Sequence, residues 1–161
     1  MVNLLHFESV TSTYMSYFKL IKLNAIPSTN NFLKERYQKG VCVDGDLVWA
    51  KEQTKGRGQR ERKWISTAEN SLTFSVYRSY TNFYSRNAFM VSAAVAIGII
   101  NALRVIGIPD LKIKWPNDIL SCNKKVAGIL IENIFKKSQL KASIIGVGLN
   151  VNQLSFVDLP H

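Results

Sequence analysis

LKIKWPNDILSCNKKVAGILIENIFKKSQLKASIIGVGLNV, residues 111–151, is the stretch that decides the fold. Residues 111–115 alternate apolar and basic side chains. Residues 126–131 are an apolar run behind Lys124 and Lys125, and residues 143–151 are an apolar run interrupted by Gly146 and Gly148. Short strands in succession after one long helix point to antiparallel or mixed sheet, not to alternating βαβ units. The reading predicts an α+β domain: a mixed, largely antiparallel sheet with helices packed on one face.

The helix that precedes this stretch runs over about 85–105, and Gly107 and Pro109 end it. It carries no charge between Asn87 and Leu103. A membrane span needs about 20 apolar residues, and Asn87, Ser92, Gly98 and Asn101 interrupt this one. Ala and Ile fill most of its circumference, which predicts a buried helix of a soluble domain. Upstream, residues 71–77 alternate as SLTFSVY, with Leu72, Phe74 and Val76 on one face. Residues 47–50 read as a strand. Pro27-Ser28-Thr29-Asn30 is a helix start, because Ser, Thr and Asn accept from orphan N–H groups. That helix covers 31–38 and ends at Gly40. The first two dozen residues read as an edge element.

The 161 residues predict one domain, 1–161, with a sizeable core at 47% hydrophobic content. Lys and Arg number 21 against 11 Asp and Glu, a formal charge of +10 that calls for an anionic partner without choosing which. Cys42 and Cys122 lie far apart and form neither a disulfide framework nor a zinc spacing. His6 and His161 sit at the chain ends, so no His-based triad or metal site is expected, and no protein metal-ligand set. The N-terminal residues lack the pattern of a signal peptide, and a reducing cytoplasm is the expected setting.

Four clusters can carry chemistry. Ser28-Thr29-Asn30 can be a ligand-facing polar set or only a helix cap. The loop 53–64, QTKGRGQRERKW, joins two glycines to five basic side chains. Glycine permits close backbone approach, and arginine offers a donor fork for carboxylate or phosphate; the alternatives are a solvated turn or a nonspecific RNA-binding segment. Lys114-Trp115-Pro116-Asn117-Asp118, followed by Lys124-Lys125-Val126-Ala127-Gly128, can be a site or a plain hairpin. Gly146-Val147-Gly148-Leu149-Asn150-Val151-Asn152 can be a ligand-facing strand or a glycine-kinked one.

In this order, STN, QTKGRGQRERKW, KWPNDIL, KKVAGILIE and GVGLNVN resemble the biotin protein ligase family, over about 28–152. The resemblance implies a fold akin to class II aminoacyl-tRNA synthetases. It implies that biotin and ATP, with Mg²⁺, give biotinyl-5′-AMP, and that a lysine of a biotin carboxyl carrier protein then takes the biotin. Ser28, Thr29, Asn30, Gln53, Gly56, Arg57, Gly58, Trp64 and Gly128 are the implied biotin-binding positions. Arg60, Arg62, Asn117, Lys125 and Asn150 are the implied nucleotide-binding positions. Lys125, Arg57 and Asp118 are the implied catalytic ones, with Asp118 orienting the acceptor amine. Mg²⁺ is expected on phosphate oxygens with few protein ligands. The family loop reads GRGRxGRxW; here Gln59 stands for an arginine and Glu61 for a glycine. Fewer than 30 residues precede Ser28, so neither a DNA-binding domain nor nucleic acid as partner is expected. The family's SH3-like C-terminal domain is expected to be missing. No membrane association is expected, a homodimer is possible, and the family's acidic acceptor domains suit the basic balance. A lipoate or octanoyl ligase of the same superfamily and a basic nucleic-acid-binding module are the alternatives.

Overall fold

The computed structural model describes residues 17–65 and 70–152, excepting the side chain of Glu61. The chain folds as β1 (Lys19–Ile26), α1 (Thr29–Gln38), β2 (Asp46–Gln53), β3 (Ser71–Ser79), α2 (Ala88–Val105), β4 (Leu111–Lys114), β5 (Asp118–Ser121), β6 (Lys124–Lys136) and β7 (Gln139–Asn150). The seven strands form one sheet in the order β1-β2-β3-β7-β6-β5-β4. Only β1 and β2 pair in parallel, joined through α1; every other neighbouring pair is antiparallel. The expected mixed, largely antiparallel sheet is therefore present. The expected edge element is β1, and residues 1–16 of that segment lie outside the described residues.

Local signals set the element ends. Ser28 is the N-cap of α1, extended at φ −160°, and its hydroxyl accepts from the Asn31 N–H. Gly40, at φ +69°, closes the helix with bonds from its own N–H to Tyr37 O and from Val41 N–H to Arg36 O. Gly107, at φ +81°, closes α2 in the same way, with Ile108 N–H reaching Leu103 O. Left-handed backbone at these ends is the conformation glycine adopts without a Cβ clash. Trp115-Pro116-Asn117 is the turn between β4 and β5, so the hairpin alternative for this motif is correct as far as backbone goes. Cys122 and Asn123 both have positive φ and turn β5 into β6, as a two-residue hairpin of primed type requires.

The two helices do not share a face, which corrects the one-face expectation. Side chains alternate across a strand. On β7, Ala142 and Ile144 pack with Leu33 of α1, while Ile145 and Val147 pack with Val91 of α2. The parity along β7 therefore places α1 on one side of the sheet and α2 on the other. The second core half gathers Ala96, Ile100 and Leu103 of α2 against Ile119, Ala127 and Ile129.

A second expectation also changes. The segment Ser85–Val105 is long and apolar enough to span a membrane by length and composition. It packs here on the sheet, yet only Val91, Ala96, Ile100 and Leu103 of α2 are buried, and Phe89, Met90, Ile97 and Val105 are exposed. It is a one-sided helix, not one buried all round. An apolar circumference hides which stripe is packed, because the contrast that marks a buried face is missing.

Candidate active site

The site lies on the α1 side of the sheet, where three glycines replace the side chains a core would carry. Paired residues face the same way, and Gly128 of β6 sits opposite Gly148 of β7, with Leu130 opposite Gly146. On the other side the intervening Ile129, Val147 and Ile145 fill the core against α2. The alternation in Gly146-Val147-Gly148 is thus one floor position, one core position, one floor position. A Cβ on Gly148 would lie 2.3 Å from Trp64 Cε2, and one on Gly128 would lie 2.9 Å from Trp64 Cζ3. A Cβ on Gly146 would lie 2.3 Å from Asn30 Oδ1. The glycines seat the Trp64 indole and the Asn30 amide directly on the backbone.

A cleft of about 1090 Å³ opens over this floor. It is lined by Ser28, Thr29, Asn30, Gln53, Arg57, Gly58, Arg60, Arg62, Trp64, Asn117, Asp118, Lys125 and Gly128, thirteen of the fifteen positions the sequence singled out. Gly56 and Asn150 do not line it. Gly56 is buried at the base of the loop, where its carbonyl accepts from the Trp64 N–H and an added Cβ would lie 2.3 Å from the Trp64 carbonyl oxygen. Asn150 donates from Nδ2 to the Lys125 carbonyl at 3.3 Å and supports the strand behind the cleft.

At one end of the cleft the hydroxyl and amide groups form a closed network. The Ser75 hydroxyl lies 2.6 Å from Asn30 Oδ1 and 2.7 Å from Thr29 Oγ1. Asn30 Oδ1 can only accept, so the single Ser75 proton belongs there. Asn30 Nδ2 donates to Leu130 O and to Glu132 Oε2, at 3.3 and 3.0 Å. The Thr29 N–H donates to Gln53 Oε1 at 2.8 Å, and the Thr29 hydroxyl lies 3.0 Å from the same oxygen. Asn30 is 3% exposed; both N–H donors are used, and its carbonyl oxygen accepts from Ser75. It acts as a fixed wall, with both of its N–H donors taken within the protein.

The loop 53–64 doubles back on itself as a tongue. Gly58 N–H donates to Arg62 O, Trp64 N–H donates to Gly56 O, and Arg57 bridges Lys63. Its tip, Gln59–Glu61, is a single 3-10 turn with Arg60 at φ +50°. Arg57 donates from Nη2 to Glu132 Oε1 at 3.1 Å and from Nη1 to Asn31 Oδ1. Burial pushes the Glu132 carboxyl up, but the Asn30 amide, Arg57 and Lys34 outweigh it and hold it below the usual carboxylate range.

At the other end Lys125 Nζ lies 2.8 Å from Asp118 Oδ1 and 5.7 Å from the Trp64 ring centroid. Among the described residues, Trp64 Nε1 and Asn150 Oδ1 are buried without a hydrogen-bond partner. No group of three or more His, Cys, Asp or Glu among the described residues could hold a metal. The guanidinium and ammonium groups that line the cleft fit an anion.

Ser75, Asn31, Glu132 and the role of Gly146 and Gly148 as floor were missed from sequence. The strand parity shared by Gly128, Leu130 and Glu132 was the available signal for the last three.

Residues 23–150 match the Biotin/lipoate A/B protein ligase family, and the chain belongs to it. Over 131 residues it is 36% identical to the bifunctional ligase/repressor BirA of Salmonella typhimurium, covering 80% of this chain and 39% of that protein. It is 33% identical over 129 residues to the biotin–[acetyl-CoA-carboxylase] ligase of Mycobacterium tuberculosis, covering 78% of this chain and 47% of that protein. The solved biotin protein ligase from Aquifex aeolicus, in complex with biotin and ATP, aligns with a TM-score of 0.72 at 34% identity, over 87% of this chain and 55% of that one. The chain thus spans less than half the length of both curated relatives.

Proposed function

We propose that this chain is the catalytic domain of an ATP-dependent biotin ligase. It activates biotin as biotinyl-5′-AMP and passes the biotin to a lysine of a biotin carboxyl carrier protein, in the cytoplasm. The observation that carries the proposal is the two-ended cleft: a closed hydroxyl–amide network at one end and Lys125 with Asp118 at the other, over a glycine floor. A ring with polar edges and an apolar body fits a largely apolar pocket closed by a few fixed polar groups.

In the first step a carboxylate oxygen of biotin attacks the α-phosphorus of ATP, and the bond to pyrophosphate breaks. Negative charge grows on the phosphoryl oxygens and the leaving group. Lys125 and Arg57 supply preorganised positive charge there, which counts for more in the transition state than in the ground state. Arg60 and Arg62 add charge from the tongue, and Asn117 lines the same end of the cleft. Mg²⁺, when bound, would neutralise phosphate charge and would be held mainly by phosphate oxygens, with Asp118 the cleft-lining carboxylate available to it.

In the second step the neutral amine of the acceptor lysine attacks the carbonyl carbon of the mixed anhydride, and the bond to AMP breaks. An ammonium entering this cationic site loses its proton more readily than in water. Asp118 orients that amine and takes over its proton relay, while its contact with Lys125 keeps the lysine aimed into the cleft. Replacing Asp118 with Asn should slow transfer from preformed biotinyl-5′-AMP; unchanged transfer would exclude the role.

The test of the whole reading is biotin-dependent exchange of pyrophosphate into ATP, with lipoate as the control acid. Exchange with biotin should fall by roughly 10²–10³-fold in Lys125→Ala, the range for losing one preorganised charge-stabilising donor. Absence of exchange with either acid would overturn the reading, and exchange with lipoate alone would move the chain to the lipoate branch.

A further inference from the structure

We infer that Glu132 is a positioning residue that ties the biotin end of the cleft to the anion-binding tongue, an inference that rests on the ligase reading. Glu132 stands on β6 two steps beyond Leu130 and four beyond Gly128, on the floor side of the sheet. Its two oxygens serve two different parts of the site. Oε2 accepts from Asn30 Nδ2 at 3.0 Å, which fixes the amide so that Oδ1 meets Ser75. Oε1 accepts from Arg57 Nη2 at 3.1 Å and lies 3.6 Å from Lys34 Nζ. Asn31, on the same first turn of α1 as Asn30, takes Arg57 Nη1.

Arg57 is thereby held by both terminal nitrogens although its side chain is 41% exposed. A free arginine side chain carries rotamer entropy, and an exposed loop arginine would lose it on meeting an anion. Two of the five guanidinium donors are used in the anchor, which leaves Nε–H and the second hydrogens of the terminal nitrogens for phosphate or carboxylate. A single carboxylate therefore sets the wall that faces the ring and the cation that faces the developing charge. Glu132 touches neither substrate in this scheme; it acts through Asn30 and Arg57.

Glu132→Gln keeps an acceptor for Asn30 and removes the charge that holds Arg57. Calorimetry with biotin and with a non-hydrolysable acyl-adenylate analogue, on wild type, Glu132→Gln, Arg57→Ala and the double variant, reads the coupling. Affinity for the analogue should fall about tenfold in Glu132→Gln, at least about fivefold more than affinity for biotin, and that loss should vanish in the Arg57→Ala background. Asn31→Ala, which frees the other terminal nitrogen without leaving a charge unpaired, should show the same ligand bias and keeps the test open if Glu132→Gln folds poorly. Hydrogen exchange of amides 54–63 in unliganded protein supplies a readout independent of ligand: Glu132→Gln should speed it, and should not speed it further once Arg57 is Ala. Equal losses for both ligands, an undiminished loss in the Arg57→Ala background, or unchanged loop exchange would each overturn the inference. Wild type that binds neither ligand would sink the ligase reading instead, while the exchange data would still decide whether Glu132 holds Arg57.

Discussion

Asn30 and its partners carry most of the site's internal order at the scale of single residues. Ser75 is fully buried and supplies the only proton that the described bonds give to Asn30 Oδ1. Ser75→Ala leaves that oxygen buried without a donor, which typically costs about 1–3 kcal/mol. Denaturant unfolding should register the loss, and biotin affinity should fall with it; a variant as stable as wild type would show that the amide finds another donor. The pH dependence of Glu132 has a definite sign. Its carboxyl is held below the usual range, so the stability it contributes is present above the ordinary carboxylate pKa and is lost as pH falls through the lowered one. Glu132→Gln should therefore lose stability at neutral pH and lose less than wild type on acidification. Denaturant midpoints measured between neutral and acid pH check this, and parallel acid limbs would contradict it. Ser75 carried no signal in the sequence, and Glu132 carried only its strand parity with Gly128 and Leu130. A lone serine in an alternating strand and a glutamate after an apolar run look like ordinary strand residues until α1 and the tongue are brought over them.

At the scale of elements the sequence was most informative where chemistry and geometry coincide. Ser28, Gly40, Gly107 and the Trp115-Pro116-Asn117 turn bound their elements because caps and left-handed backbone demand particular residue types. The glycines of β6 and β7 were visible as residues but not as a floor, since the floor exists only once Gly128 and Gly148 are paired. Gly148→Ala puts a methyl 2.3 Å from the indole of Trp64. The ring must leave its seat, so this variant should lose biotin-dependent exchange while costing only about 1–3 kcal/mol of stability, the usual range for overpacking. Exchange activity within about twofold of wild type would mean that Trp64 is not needed in that seat. The two faces of α2 supply a paired comparison. Ile100 is 7% exposed and Ile97 is 53% exposed. Ile100→Ala should cost about 2–5 kcal/mol, against under about 0.5 kcal/mol for Ile97→Ala. Similar losses at both positions would show that the outer stripe is covered in solution. The sequence hid this asymmetry because alanine and isoleucine occupy both faces.

For the whole molecule the open question in the sequence was what a formal charge of +10 is for. The fold gives the charge a location. Arg57, Arg60, Arg62, Lys63, Lys114 and Lys125 all line one cleft, facing Asp118 within it and Glu132 behind Arg57. Two roles are separable by range. On the proposed function, contact with biotin and ATP would act over a few ångströms inside the cleft, where salt screens weakly. Capture of the proposed carrier domain would act across the cleft mouth, over distances comparable with the Debye length of about 10 Å at 0.1 M salt. If the acceptor surface is acidic, raising salt from about 50 to about 500 mM should slow transfer from preformed biotinyl-5′-AMP to the carrier by at least about tenfold, through the association rate. Pyrophosphate exchange, which needs no carrier, should change far less. Steady-state transfer at sub-saturating carrier, run beside the exchange assay at each salt, separates the two. A transfer rate as flat in salt as the exchange rate would remove the cationic rim from carrier recognition and leave its charge to the nucleotide alone.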